Sequence, residues 1–411
     1  MPVYPAPMQP DPPAERIAPP AWLRQGAVAA VLAALPGARA VGGAVRDTLA
    51  GRPVQDVDVA VPLPPESVAP RLREAGLKVF ETGLAHGTLT AVKEGVPVEV
   101  TSLRRDVLTD GRHATVEWTT DWREDAARRD FTINAMSLDA EGALWDYFGG
   151  RADLAAGRVR FVGEAARRIA EDYLRALRFF RFQARYGRGE PDAEAIAAIR
   201  AAVPGLARLS AERVWSECKR LLEAPDPRGA LALMAATGVL PAILPEAEWP
   251  NPRLDRLAAA GAPADPLLRT AALLRAGADV SALAERLRLS SEERESLARL
   301  AAPQPDLAAA PDEAELRRIL ARREGWPAAD VLRAAWLAEA RDGAGRGALR
   351  ARLSATPRPV FPLRGADLLA AGLPPGPELG RRLARARQAW LAGGCDMPRE
   401  ALLALALAPP P

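Results

Sequence analysis

Residues 41–61 read VGGAVRDTLAGRPVQDVDVAV, which places a glycine pair, an arginine and an Asp-x-Asp pair within about the length of one βαβ unit. The segment QDVDVAV, residues 55–61, alternates polar and apolar residues with a period of two and predicts a strand. Residues two apart on a strand share a face. Asp56 and Asp58 therefore project together, with Cα atoms about 6.6 Å apart. Like charges at that spacing repel and contribute nothing to a strand. A divalent cation removes the conflict. Mg²⁺ takes one or two carboxylates together with substrate phosphates, and a pair of ions can clamp the attacking and leaving oxygens of an in-line displacement. An isolated DxD also describes a solvated strand end, so the surrounding residues decide between the two readings.

Gly42 and Gly43 follow an apolar stretch and precede a helix-like run, residues 44–50. Glycine there lets backbone N–H groups approach an anion. Arg46 lies three residues on, within reach of the same phosphates. A third acid, Glu99, falls in VEVTS, where it shares a face with Thr101. If that strand lies beside the Asp56–Asp58 strand, Glu99 can orient a metal or accept a proton from an attacking hydroxyl. Residues 124–136, EDAARRDFTINAM, offer Asp125 to a ribose hydroxyl, Arg128 and Arg129 to phosphates, and Asn134 to a sugar or the backbone. Residues 168–187 predict one helix in which Asp172, Arg175, Arg178 and Arg181 recur every three residues. Such neighbours stand about 5–6 Å apart on one face. A guanidinium offers paired donors and a carboxylate paired acceptors, which suits the Watson–Crick edge of a base.

The elements that must position these groups follow from pattern. Residues 87–103 predict a hairpin turning at Lys93–Gly95. The polar stretch 104–122, with Asp110, Gly111, Arg112 and His113, reads as a long mobile loop beside the site. From about Gly149 strand signals fade and Ala/Leu-rich helical periodicity runs to the end, with Pro-rich breaks near 224–228, 241–252 and 302–311. Residues 1–20 are Pro-rich and read as a flexible leader, neither a signal peptide nor a membrane span.

Composition sets limits. At 411 residues the chain exceeds one core. Cys218 and Cys395 are too few for a disulfide framework, and His86 and His113 too few for a histidine metal centre, so a catalytic metal must rest on oxygen ligands. The net charge of +3 names no partner. Lysine occurs only at Lys78, Lys93 and Lys219. That bias toward arginine reflects a GC-rich genome. No run of about 18 apolar residues appears, so a membrane association is not expected.

These segments together resemble the class II nucleotidyltransferase family, which comprises CCA-adding tRNA nucleotidyltransferases and bacterial poly(A) polymerases. The resemblance covers about residues 38–245. GGAVRD with DVD resembles the family's metal and triphosphate motif, and RRDFTINAM its ribose motif. EDYLRALRFFRF resembles its templating helix, and LSAERVWSE (residues 209–217) the next helical motif. The resemblance implies an α+β fold with a DNA polymerase beta-like head containing a small mixed sheet, followed by helical neck, body and tail. The expected boundaries are 1–20, 21–148, 149–223, 224–301 and 302–411. It further implies Mg²⁺ at Asp56 and Asp58 with Glu99 as third carboxylate. Gly42, Gly43 and Arg46 would hold the triphosphate, and Arg128 or Arg129 the nucleotide. Asp172, Arg175, Arg178 and Arg181 would select CTP or ATP. The expected activity is CCA addition to tRNA by a bacterial, cytoplasmic enzyme, the helical remainder holding the tRNA. Poly(A) or A-only addition is the alternative; the nearly uncharged end ALLALALAPPP favours CCA.

Overall fold

The computed structural model describes residues 11–83, 87–109, 114–307 and 310–409. The chain divides into two compact units, Met1–Pro245 and Glu246–Pro411.

The first unit is built on one mixed sheet. Its strands are β1 (Glu15–Arg16), β2 (Arg39–Val41), β3 (Asp58–Val61), β4 (Lys78–Gly83), β5 (Thr88–Lys93) and β6 (Val96–Ser102). A separate hairpin, β7 (Arg104–Thr109) and β8 (Ala114–Trp118), precedes the last two sheet strands, β9 (Met136–Leu138) and β10 (Ala143–Asp146). The sheet order is β1-β10-β9-β2-β3-β6-β5-β4. Only β3 and β6 run parallel; the other pairs are antiparallel. Helix α1 (Gly26–Ala34) precedes β2, α2 (Gly43–Leu49) follows it, and α3 (Pro65–Glu74) leads from β3 towards β4. Glu94 and Gly95, at φ 53° and 80°, make the tight turn between β5 and β6, as the alternating pattern predicts.

Four local expectations are corrected. Strand β3 starts at Asp58 rather than Gln55, because both neighbours begin there: Asp58 pairs with Val41 on β2 and with Glu99 on β6. Asp56 thus precedes the strand. Within the stretch expected to be a mobile loop, β7 and β8 pair from Arg104↔Trp118 to Thr109↔Ala114; Asp110–His113, like His86, lie outside the described residues. Part of the expected leader is sheet: Glu15 and Arg16 pair with Leu144 and Ala143, and Trp145 Nε1 donates to the Asp11 carbonyl at 2.7 Å. Cross-strand pairing outweighs the proline content there.

The fourth correction concerns the arginine-bearing helix. Short helices α4 (Trp122–Ala127) and α5 (Gly150–Ala156) complete the head, and α6 (Ala165–Glu171) stops one residue before Asp172. Asp172 is extended, at φ −155° and ψ 108°, and its carboxylate accepts from Leu174 N at 3.0 Å. An aspartate that bonds the backbone ahead of it competes with the helix ladder. A new helix, α7 (Leu174–Tyr186), then carries Arg175, Arg178 and Arg181. The buried face of α7 is wider than one stripe, since Phe179, Phe180 and Phe182 are all buried. Phe131 and Phe161, from outside the helix, stack against them with ring centroids 4.8 Å apart from each other and 6.1 Å from Phe161 to Phe179. Such aromatic burial fixes the rotation of α7 and hence the side on which its arginines stand. Helix α9 (Ala211–Leu222) packs against α7, and α8 (Ala193–Ala202) packs against α6.

The described elements of the second unit are helices, with one isolated bridge between Ala247 and Leu274. One of its cores gathers Leu368, Ala386, Trp390, Leu402 and Ala406. No described helix is long and apolar enough to cross a membrane.

Candidate active site

The parallel pairing of β3 with β6 sets Asp58 directly beside Glu99, with Val59 and Val100 buried behind them. On the other side of Asp58, β2 ends at Val41 and the chain turns at Gly42. Desolvation first, then Glu99 and Asp56, push the Asp58 carboxyl above its ordinary range; Arg129 only partly opposes them. The acids therefore repel one another in an incompletely neutralised group. Among the described residues, no three acidic, His or Cys side chains are gathered into a ready-made metal cage. An oxygen-only set of one or two carboxylates, left open on the other side, is what Mg²⁺ accepts when phosphates complete its shell. The donor chemistry fits the expected ion.

Gly42 has φ 67° and ψ −123°, a conformation open only to glycine. A Cβ there would stand 3.1 Å from Arg129 Nη1. Helix α2 is seven residues long, so its dipole is weak and the turn backbone matters more. Gly42→Ala is expected to destabilise the turn by about 1–3 kcal/mol and to displace Arg129. A lowered unfolding midpoint together with a raised KM for nucleotide checks this.

Residues expected to meet the ribose are used otherwise. Asp125 is 2 % exposed and binds Arg128 Nε at 2.9 Å and Arg129 Nη2 at 3.3 Å. Burial alone would raise its carboxyl, but Arg128 and Arg129 outweigh burial and hold it low. Asp125 is a buried anchor for two arginines, not a surface ligand. Asn134 is also buried: its Oδ1 accepts from Arg46 Nη1 at 2.7 Å and its Nδ2 donates to Asp130 Oδ1 at 2.9 Å. Arg46 is further paired with Asp47 at 2.9 Å and lies over the Tyr186 ring at 4.5 Å. Tyr186 in turn donates to Asp47 at 2.5 Å, tying α2 to the end of α7.

Arg175, Arg178 and Arg181 of α7 are each held by an acid. Arg175 Nη1 donates to Glu171 at 2.5 Å. Arg178 binds Asp130 through Nε at 2.7 Å and Nη2 at 2.6 Å. Arg181 binds Glu217 of α9 at 2.6 Å. Asp172 accepts from Arg213 at 2.6 Å. Burial works against charge on Arg178, but Asp130 and then Glu217 more than offset it and raise its pKa. Burial prevails at Arg181 and lowers it.

One cleft of about 640 Å³ gathers these groups. Its wall includes Gly42, Gly43, Arg46, Asp58, Arg128, Arg129 and Asn134 from the head, and Asp172, Arg175, Arg178 and Arg181 from the α7 region. Asp56 and Glu99 do not line it. Sequence reasoning missed Asp130, Glu171, Arg213 and Glu217. Glu171 was within reach, since it stands four residues before Arg175 on helical spacing. Asp130 is 48 residues from Arg178 and Glu217 is 36 from Arg181, so only packing reveals them.

A strand-borne aspartate, Asp58, opening on an arginine-lined cleft, in a mixed sheet followed by helices, is the arrangement of a nucleotidyltransferase. Residues 38–160 match the family model described as the poly A polymerase head domain, and residues 190–249 one described as a probable RNA and SrmB-binding site of polymerase A. The mouse protein "CCA tRNA nucleotidyltransferase 1, mitochondrial" is 38% identical over 378 residues, spanning 89% of this chain and 85% of its own. The crystal structure of the Bacillus stearothermophilus CCA-adding enzyme in complex with CTP superposes with a TM-score of 0.74 at 27% identity, covering 91% of this chain and 95% of that one. A tRNA nucleotidyltransferase complexed with a primer tRNA and an incoming ATP analog gives 0.60 at 26% identity, covering 77% and 93%. The chain belongs to the class II nucleotidyltransferases, among the CCA-adding tRNA nucleotidyltransferases.

Proposed function

We propose the following division of labour in this enzyme, a tRNA nucleotidyltransferase that adds CCA to tRNA 3′ ends from CTP and ATP. Asp58, with Asp56 and Glu99 beside it, holds Mg²⁺. The bound ion would lower the pKa of the terminal ribose hydroxyl and neutralise charge on the triphosphate as pyrophosphate leaves. Gly42 and Gly43 let backbone N–H groups approach the phosphates, and Arg128 and Arg129, oriented by Asp125, add positive charge. Arg46 is a positioning residue, since Asp47 and Asn134 already occupy its fork.

Asp172, Arg175, Arg178 and Arg181 select the base. Paired arginines are poised rather than idle: a base edge that matches them exchanges one set of hydrogen bonds for another, while a mismatched base leaves buried donors unmet. The helical remainder holds the tRNA. A bacterial, cytoplasmic member is part of this proposal; the mouse relative is mitochondrial by name. The expected neck, body and tail boundaries stand as part of this proposal, with the head extended to take in β1, Glu15–Arg16.

The observation that carries the reading is the cleft that joins Asp58 to the arginines of α7. The direct experiment supplies tRNA lacking its last three nucleotides with each nucleoside triphosphate, singly and together, and sequences the products. CCA ends formed only with CTP and ATP are expected, with activity lost to EDTA and restored by Mg²⁺. Runs of A on unrelated RNAs would overturn it. Arg175→Ala is expected to weaken discrimination against UTP and GTP by about 10- to 100-fold; unchanged misincorporation counts against base reading by Arg175.

A further inference from the structure

The row of side chains that begins with Asp58 and Glu99 continues across the head sheet. Glu99 is opposite Thr90 on β5, and Thr90 is opposite Phe80 on β4. Directly paired residues share a face, so Phe80 stands on the side of the sheet that presents Asp58 and Glu99. One row along, Thr88 and Thr101 hydrogen-bond to each other at 3.0 Å on that same side. Leu89, Ala91, Val98 and Val100 take the other side and are buried. The Phe80 side is open: Glu99 is exposed and the Phe80 ring is 52 % exposed.

Among the described residues, Phe80 is the only phenylalanine, tyrosine or tryptophan left exposed. It stands on β4, the edge of the sheet, where a bare apolar side chain invites association. The bulge between Phe80 and Gly83 interrupts that edge and disfavours strand pairing with a second copy of the chain. Lys78, two residues back, shares the face and is exposed, so a cation stands beside the ring. An exposed ring with a neighbouring cation suits single-stranded nucleic acid, whose bases stack and whose phosphates need charge.

The direction of the reaction says which nucleic acid. The Gly42–Gly43 turn follows β2, on one side of β3; β6, β5 and β4 lie on the other. With pyrophosphate leaving at the glycine turn, an in-line displacement brings the attacking hydroxyl from the β6 side. Phe80 is three strands from Asp58, about 14 Å at the usual strand spacing. At about 3.4 Å per stacked nucleotide, that distance spans about four nucleotides at most. The RNA end that reaches the carboxylates therefore passes over Phe80.

We infer that Phe80 is a stacking platform for an unpaired base close to the reacting 3′ end of the tRNA, with Lys78 meeting the backbone; this rests on the proposed metal role of Asp58 and Glu99. The test gives the full chain tRNA ending in CC and measures KM separately for tRNA and for ATP. Phe80→Leu keeps an apolar side chain but loses the ring. It is expected to raise KM for tRNA about tenfold, the loss of one stacked base, with kcat and KM for ATP moving far less. Phe80→Trp restores a ring and should return KM for tRNA towards the parent value. A tRNA with 5-iodocytidine in its unpaired end should photocrosslink to Phe80, mapped by mass spectrometry. Unchanged KM for tRNA in Phe80→Leu overturns the inference, as does a rise that Phe80→Trp fails to reverse or a crosslink that maps away from β4. A parent dimer that Phe80→Leu dissociates on a sizing column also overturns it, since the face would then join two copies. Normal turnover by Asp58→Asn defeats the metal role instead; an inactive Asp58→Asn beside a Phe80→Leu that matches the parent defeats this inference alone.

Discussion

Asp58→Asn is expected to lower single-turnover nucleotide addition by about 10²- to 10³-fold or more, the scale of removing a principal electrostatic contributor to a transition state, while tRNA binding changes little. Stability should hold or rise. Asp58 is exposed at the start of β3, so desolvation of its carboxylate is partial; strand register holds it beside Glu99, and Glu99 and Asp56 add repulsion that a neutral isostere relieves. A site that gains stability as it loses activity was placed there for chemistry. Radiolabelled CTP incorporation, a tRNA gel shift and a thermal melt measure the three quantities. Normal turnover would remove Asp58 from the reaction; loss of activity only in step with loss of fold would make it structural.

Asp130→Ala is expected to destabilise the first unit by about 3–5 kcal/mol, the cost of stranding a buried partner. Asp130 is buried and accepts from Arg178, from Asn134 Nδ2 and from Phe131 N at 2.9 Å. Its removal frees Arg178 and loosens the Asn134–Arg46 link, so base selection and triphosphate binding should deteriorate together. Burial favours the protonated acid, but Arg178, Asn134 and the Phe131 amide outweigh it and keep the folded pKa low. The sign follows: the unfolded value is about 3.9, so this stabilisation is complete at neutral pH and is lost as pH falls below it towards the depressed folded value. Urea denaturation at pH 7 and near pH 3 should show the parent losing more stability on acidification than the variant. Equal losses would mean that Asp130 does not carry the acid sensitivity.

Much of the site was legible along the chain because its groups lie close in sequence. Gly42, Gly43 and Arg46 are one turn; Arg175, Arg178 and Arg181 are one helix face; the VEVTS alternation places Glu99 on the polar side of a strand. Short-range periodicity reports which side a residue takes. It does not report what that side meets. Asn134 and Asp125 look like surface polar groups in EDAARRDFTINAM; Asp125 turns out to be a buried link between Arg128 and Arg129, and Asn134 one between Arg46 and Asp130. The 168–187 pattern runs unbroken through Asp172, yet the aspartate's bond to Leu174 N ends one helix and starts another. The stretch after Leu103 pairs as β7 and β8: ATVEW, residues 114–118, alternates as a strand does, while RRDVLT, residues 104–109, does not and pairs with it all the same, since cross-strand hydrogen bonds do not require it.

From its sequence alone the chain could be assigned its α+β class, and the expectations of oxygen ligands for a metal and of particular residues facing a nucleotide could be drawn, because composition, strand period and helix period are local properties. Only the tertiary structure set Asp58 against Glu99 across a parallel pair, backed the α7 arginines with Asp130 and Glu217, and enclosed Arg39 between two tryptophans. Those arrangements join residues tens of positions apart, and what selects them is burial of the strands and phenylalanines that separate them, a sum over the whole fold.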